Sequence, residues 1–496
     1  MKRKLWLSIC LILGTILHGY AAQYVFDYND RCHRAYQYLM ALKLDEGKAE
    51  IIKEIRDNPY NLAATYIADY DDFLTLLING DPKEYEQRHA HLDERLKLLS
   101  KGNASSPWYR FSKAGIHLHW AIVYLRLGEN IKSALNFRRS FLLLKENKDR
   151  FPDFEYNKIF LGVEEAVVGA IPDDYRWLAA VFGMKGNVKK GMAQLESFVN
   201  ESAPSAPLRN EAEIYYCYFK FYLLYQHNEV LAYMNSNKFS TTDNLLNTFV
   251  KANLQLNARK ADAALQLLQI AQNNSNYDRF PVFDYEMGNG LLLNTNKAAL
   301  NYYQRYINRY HGDLFIKDAW QKMALIYYME GDMLNAERCK RTILLQGNTQ
   351  VDADKQAQRF AIGKKWPDRT LLKTRLLTDG GYYSQAFTVI TTKKRTDFTS
   401  IPDETEYCFR LARVYDELQD HTRALELYQD AITKGRNRQE YFAARAALQM
   451  AFIYEHAGQL PLAIIKYNEC LHMKRHDFQA SIDQQAKAGL SRLNSR

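Results

Sequence analysis

A ladder of residues written twice between Thr405 and Arg475 limits the folds open to this chain more than any other feature of it. The first copy reads Leu411, Ala412, Tyr415, then Ala424, Tyr428, Ala431; the second reads Met450, Ala451, Tyr454, then Ala463, Tyr467, Cys470. In both, twelve residues separate the first small residue from the second, and steps of four and three follow. Such steps return side chains to one helical face. The breaks between the two sets, Gln419-Asp420-His421 and Ala457-Gly458-Gln459, are short and polar. Each copy therefore predicts a helical hairpin, with alanine where its two helices come closest and tyrosine filling the space alongside. The last small residue admits the next hairpin.

This ladder resembles the tetratricopeptide repeat, a helix-turn-helix unit of 34 residues that buries its apolar face only by stacking on neighbours. The resemblance implies an all-α fold, an α-solenoid whose hairpins stack into a right-handed superhelix. About ten to twelve such hairpins are expected along the 496 residues. A solenoid grows by neighbour contacts and needs no central core, so length alone does not imply several domains. Imperfect copies precede the clear ones: Ala35, Tyr38, Gly47, Ile51 and Glu54; Trp120, Ala121, Tyr124, Ser133, Phe137 and Ser140; Ala252, Ala264, Leu268 and Ala271; Gly288, Ala299 and Tyr303; Trp320, Met323, Ala324, Tyr327 and Ala336. The pattern is weakest from 348 to 369, where Lys364-Lys365-Trp366-Pro367 breaks any helix. The expected organisation is a signal peptide over 1–21, degenerate hairpins over 22–370, and clearer repeats with a capping helix over 371–496. On that last helix Gln484, Gln485, Lys487, Ser491 and Arg492 read as solvent-facing.

A narrower likeness lies in Ile171-Pro172, Leu178, Phe182-Gly183-Met184-Lys185-Gly186-Asn187, Gly191 and Leu195, and in Tyr310-His-Gly-Asp-Leu-Phe-Ile-Lys317. These runs are similar to the tetratricopeptide repeat protein 39 family, which includes a fungal protein of inclusion-body clearance. The family implies a non-enzymatic adaptor or scaffold. Only its fold is carried over, because its cytoplasmic setting conflicts with the N-terminus of this chain.

That N-terminus has Lys2, Arg3 and Lys4, an apolar run from Leu5 to Ile16, and Gly19-Tyr20-Ala21. This is the layout of a cleaved secretory signal, too short in its apolar part to span a bilayer comfortably. It predicts an exported protein, periplasmic or envelope-associated in a bacterium, with no transmembrane span after cleavage. Cleavage removes three cations, so the formal charge of +9 becomes +6, a mild bias with no Lys/Arg block that argues for nucleic acid. Five cysteines remain, odd in number and scattered, which predicts small core residues rather than a disulfide framework.

Signatures of chemistry are weak. His89-Ala-His91-Leu-Asp93 resembles the start of a metallo-β-lactamase site, but it falls in a helical stretch, where residues two apart diverge by about 200°. The same geometry applies to His117 and His119, so all four are expected to be solvated or capping, with no metal and no cofactor. Gly183, Gly186 and Gly191 are expected to serve close helix packing rather than phosphate binding. Acidic pairs such as Asp71-Asp72 and Glu164-Glu165 read as exposed faces or N-caps. No catalytic residue is assigned. The expected function is a non-enzymatic exported scaffold for a protein or peptide partner, with an envelope complex as a candidate. The alternatives are an (α/α)-toroid enzyme acting on polysaccharide through two carboxylates, or a cell-surface glycan-binding protein. Since the first helix of each tetratricopeptide hairpin lines the concave face, the resemblance points to Phe409, Arg413, Leu448, Phe452 and Tyr328 as partner-binding. Asp416, Glu455, Gln321 and Leu325 share their register. Mass-spectrometric sequencing of the mature protein should find its N-terminus near Ala22; an intact Met1 would refute the export reading.

Overall fold

The computed structural model describes residues 23–171 and 184–493. The signal segment 1–21 and residues Pro172, Leu178, Phe182 and Gly183 of the narrower likeness lie outside the described residues. The protein is an all-α solenoid in which hairpin follows hairpin. The sequence copies reappear as Asp30–Met40 with Leu44–Asp57, Pro107–Arg126 with Asn130–Arg150, Leu245–Asn257 with Ala261–Ala271, and Val282–Leu293 with Ala299–Arg309. They continue through Ile316–Met329 with Met333–Leu345 and Arg369–Gly380 with Tyr383–Ile390. The two clear repeats are Ile401–Glu417 with His421–Gly435 and Phe442–His456 with Leu460–His472, closed by Gln479–Leu493.

The ladder does in space what its spacing requires. Ala412, Ala424, Tyr428 and Ala431 are fully buried, and so are Ala451, Ala463, Tyr467 and Cys470. Each ladder tyrosine also reaches back across its hairpin. The Tyr428 hydroxyl donates to Asp416 at 3.2 Å, and the Tyr467 hydroxyl donates to Glu455. Two positions expected on the concave face are thus held by hydrogen bonds inside their own hairpins. In several hairpins the second residue past the first helix is left-handed, with φ of 85° at Gly331, 73° at Gly458, 66° at Gln419 and 61° at Arg259. Glycine adopts this freely, whereas Gln419 and Arg259 each carry a cost of about 1–2 kcal/mol that the surrounding packing offsets.

Glycines pack the region of the narrower likeness. A Cβ on Gly191 would lie 2.5 Å from the Ala166 nitrogen and the Gly162 oxygen, so Asn157–Ala170 and Val188–Glu201 meet backbone to backbone. Gly186 is equally tight against Glu165 and Gly169. The weak stretch after Asn348 holds a single helix, Asp352–Ile362, rather than a hairpin. Its buried Asp354 accepts from the backbone N–H groups of Phe315 at 2.7 Å and Asp318 at 3.0 Å, and so caps Ile316–Met329 from a distance. The five described cysteines are buried free thiols, and burial pushes Cys339 and Cys408 up to about 11.

Contacts also join hairpins that are far apart in the chain. The Glu211 N–H donates to the Tyr36 hydroxyl at 3.1 Å, Arg279 pairs with Asp45 at 2.7 Å, and Gln350 donates to the Arg126 carbonyl at 2.9 Å. These partners are 175, 234 and 224 residues apart, which corresponds to about five to seven units of the repeat period. One core runs from Cys32 to Met287, a second spans Tyr285 to Leu376, and a third spans Leu371 to Leu493. Ala424→Leu or Ala463→Leu should lower stability by roughly 1–3 kcal/mol, the cost of overfilling a packed site; unchanged thermal melts for both would show that these alanines do not set the helix spacing.

Candidate functional site

The histidines divide in a way their spacing concealed. His89 is exposed and bonds the carbonyl of Glu86, as expected of a capping residue. His117 and His119 correct the expectation of solvated side chains: both are buried, and His119 has no exposed surface. Its helix, Pro107–Arg126, is buried on nearly every side, so residues two apart both meet protein. His119 donates from Nδ1 to Asp69 at 2.8 Å and from Nε2 to Glu211 at 3.0 Å. Burial works against its charge, but Glu211 and Asp69 outweigh burial and raise its pKa to about 9.

The network extends outward. Trp120 and Arg95 donate to Asp69 at 3.0 and 3.2 Å, while Tyr70 and Tyr215 donate to Glu211 at 2.5 and 3.0 Å. Arg95, His91 and Arg88 then converge on Asp72. The Asp71-Asp72 pair is accordingly buried and ion-paired rather than an exposed face. Among the described residues, no group of His, Cys, Asp and Glu is arranged to hold a metal ion. Its outer members Asp72, Arg88, His91 and Arg95 line a depression of about 420 Å³.

A cavity of about 720 Å³ is lined by the inner helices of successive hairpins. Asn253 and Asn257 come from one, Tyr285, Glu286 and Asn289 from the next, and Lys322 and Asp379 from two more. Phe409, Arg410 and Arg413 follow, then Tyr441 and Arg445, and finally Phe478, Ser481 and Gln485 at the closing helix. Gln485 therefore faces inward, contrary to the solvent-facing reading, while Arg492 pairs with Glu455 at 2.9 Å.

Of the residues singled out in the sequence, Phe409 and Arg413 line this cavity. The others lie elsewhere. Leu448 is fully buried, Phe452 packs edge-on to Tyr467 with ring centroids 5.9 Å apart, and Tyr328 stacks on Trp366 at 4.6 Å. The positions that line the cavity thus change from one hairpin to the next. Arg445 stands one helical turn before Leu448, and Arg410 and Lys322 occupy matching ladder positions just after Phe409 and Gln321. Arg259 sits in a turn, outside any helical period; a Cβ on Gly381 would collide with its carbonyl oxygen.

Five cationic side chains and two anionic ones line the cavity. Arg413 pairs with Asp379 at 2.9 Å and Arg259 pairs with Glu417. Burial raises Asp379, but Arg413, Arg410 and Arg259 outweigh it and hold the carboxyl below its ordinary range. Glu286 is pushed up by burial, with its oxygens accepting from Asn253 at 2.8 Å and Asn289 at 3.1 Å. A further depression of about 970 Å³ near Arg436 and Lys474 is also basic. Its Arg436, Arg438 and Lys474 are already paired with Glu469, Glu440 and Asp483.

No protein-family model matches the chain, and no curated protein matches it. The likeness to the tetratricopeptide repeat protein 39 family therefore rests on the residues quoted for it. Among solved structures, the chain is similar to the Cut9–Hcn1 hetero-tetramer of the APC/C, with 14% identity over 93% of this chain and 90% of that one and a TM-score of 0.28. It is also similar to yeast Tom70, at 14% identity over 94% and 89% with a TM-score of 0.23. The Naa15/Naa10 complex bound to HypK-THB matches at 14% identity over 93% of this chain and 66% of that one, with a TM-score of 0.22.

Because the His119 pKa is raised from an unfolded value of about 6.5, the stabilisation it supplies is complete below that value and is lost as pH rises through about 9. Thermal melts across this window should show a falling melting temperature that flattens in His119→Gln. An identical pH slope in that variant would show that His119 is not charged in the fold.

Proposed function

We propose that this chain is a non-enzymatic interaction scaffold, exported to a bacterial envelope, that holds a protein or peptide segment in the cavity of its concave face. The observation that carries this reading is the cavity itself, assembled by inner helices of successive hairpins and lined by cations and aromatic rings. A pocket of a few hundred cubic ångströms with a few convergent polar groups is the usual form of a ligand site. Here its size suits a short stretch of chain better than a folded domain. Export is supported by the charged, apolar and small-residue order of the first 21 residues.

One observation favours a second reading. Glu286 and Asp379 share the cavity, and their surroundings push their pKa values in opposite directions, the pattern of an acid and its partner carboxylate in sugar hydrolysis. Their partners weigh against it, since Arg413 occupies Asp379 and two asparagines occupy Glu286. Release of reducing sugar from polysaccharide, abolished by Glu286→Gln, would establish that reading.

The scaffold reading is tested by filling the cavity. Ser481 is an exposed residue on its rim, and Ser481→Trp removes no hydrogen bond on which the fold relies. The variant should melt like the parent and lose native-partner capture by about tenfold, or roughly 1.4 kcal/mol. Undiminished capture would place the binding surface outside the cavity.

A further inference from the structure

Three arginines from three different parts of the chain, Arg259, Arg413 and Arg445, face one another across the cavity. Two of them have a carboxylate of their own: Asp379 for Arg413 and Glu417 for Arg259. Arg445 differs. Among the described residues it has no ion-pair partner, and its guanidinium donates instead to the neutral side-chain oxygen of Gln485 at 3.0 Å. Burial lowers the pKa of Arg445, and Arg413 lowers it further, so like charges crowd with too few counter-charges between them. A guanidinium that is half-buried and held by one neutral acceptor keeps donors free for a planar two-oxygen anion.

Beside it lies an apolar surface. Phe478 is 44% exposed and meets Tyr441 edge to face, with ring centroids 5.2 Å apart. Tyr441 precedes the helix of Arg445, and Phe478 precedes the helix of Gln485. Cation, neutral acceptor and aromatic rim are therefore positioned by two adjacent inner helices.

From this arrangement we infer that the cavity takes a short acidic peptide segment, seating a side-chain carboxylate on Arg445 with a neighbouring apolar residue against Phe478. The inference rests on the scaffold reading and specifies its ligand. Lys322, Arg410, Arg413 and Arg259 each pair with a carboxylate of their own, so the sign of the partner's charge is set by Arg445, the lining cation without an ion pair among the described residues.

The test is selection from a displayed library of random hexapeptides against the full mature chain, followed by affinity measurement with the selected peptides. Peptides enriched in Asp or Glu next to an apolar residue are expected. Their affinity should fall about tenfold on Glu→Gln in the peptide, and by a similar factor in Arg445→Gln, as loss of a charge-assisted pair predicts. Gln485→Glu is the decisive second variant. It places a carboxylate at the Arg445 guanidinium, so it should hold or raise the melting temperature while weakening the acidic peptides. A folded Gln485→Glu protein that binds them as well as the parent would overturn the assignment to Arg445. Neutral peptides that compete at the cavity and are blocked by Ser481→Trp would overturn the acidic ligand and leave the scaffold reading standing. Failure to select any peptide would count against both. Replacing the peptide's glutamate by phosphoserine separates the anion classes, and a gain of about tenfold or more there would transfer the site from carboxylate to phosphate.

Discussion

A buried carboxylate holds four helices of the first half of this solenoid together. Glu211 accepts from Tyr70, Tyr215 and the His119 imidazolium, while its own backbone N–H donates to Tyr36. An unpaired carboxylate at that depth would be strongly disfavoured, and losing one partner of a buried pair costs several kcal/mol. The groups around Glu211 must therefore stay together. They come from Asp30–Met40, Leu62–Asn79, Pro107–Arg126 and Arg209–Tyr222, so their assembly ties these four helices together.

The second half meets the same geometric problem with a different composition. Inner positions there carry five cations, with Arg413 repelling both Arg259 and Arg445, and four of the five pair with a carboxylate: Arg259 with Glu417, Lys322 with Asp318, Arg410 with Glu406 and Arg413 with Asp379. Asp379 relieves part of that repulsion by serving Arg413 and lying within the field of Arg410 and Arg259. What remains is a lined hollow that is stable but electrostatically incomplete. The contrast between the halves arises from which residues occupy the inner faces, since the hairpins themselves are alike.

The sequence made the hairpin legible because its strongest contacts are local. Ala424, Tyr428 and Ala431 lie within one helix, and the turn before them is only a few residues long. Phe409 and Arg413 were found by the same local register. Arg445 and Lys322 were not, because which side of a helix faces the axis depends on its inclination to the whole stack, a property no single repeat contains. Arg259 was hidden for a different reason: it lies in a left-handed turn position, where no periodicity applies. His119 gave no sign of burial because its partners, Asp69 and Glu211, are 50 and 92 residues away.

Contacts between successive turns change what kind of object a repeat protein is. A free superhelix is a spring, and its units can unwind from either end with only nearest-neighbour losses. Here Gln350 on Arg126, Arg279 on Asp45 and Glu211 on Tyr36 act as clasps between coils. Pulling the termini apart would have to break clasps before it stretched hairpins, so extension should begin with a stiff regime that an unclasped array lacks. Assembly bears the same mark. Hairpins form from local contacts at little entropic cost, but each clasp closes a loop of roughly 200 residues, for which the entropic cost grows only logarithmically with length. Coil-on-coil contacts therefore carry a loop-closure cost that the hairpins themselves do not.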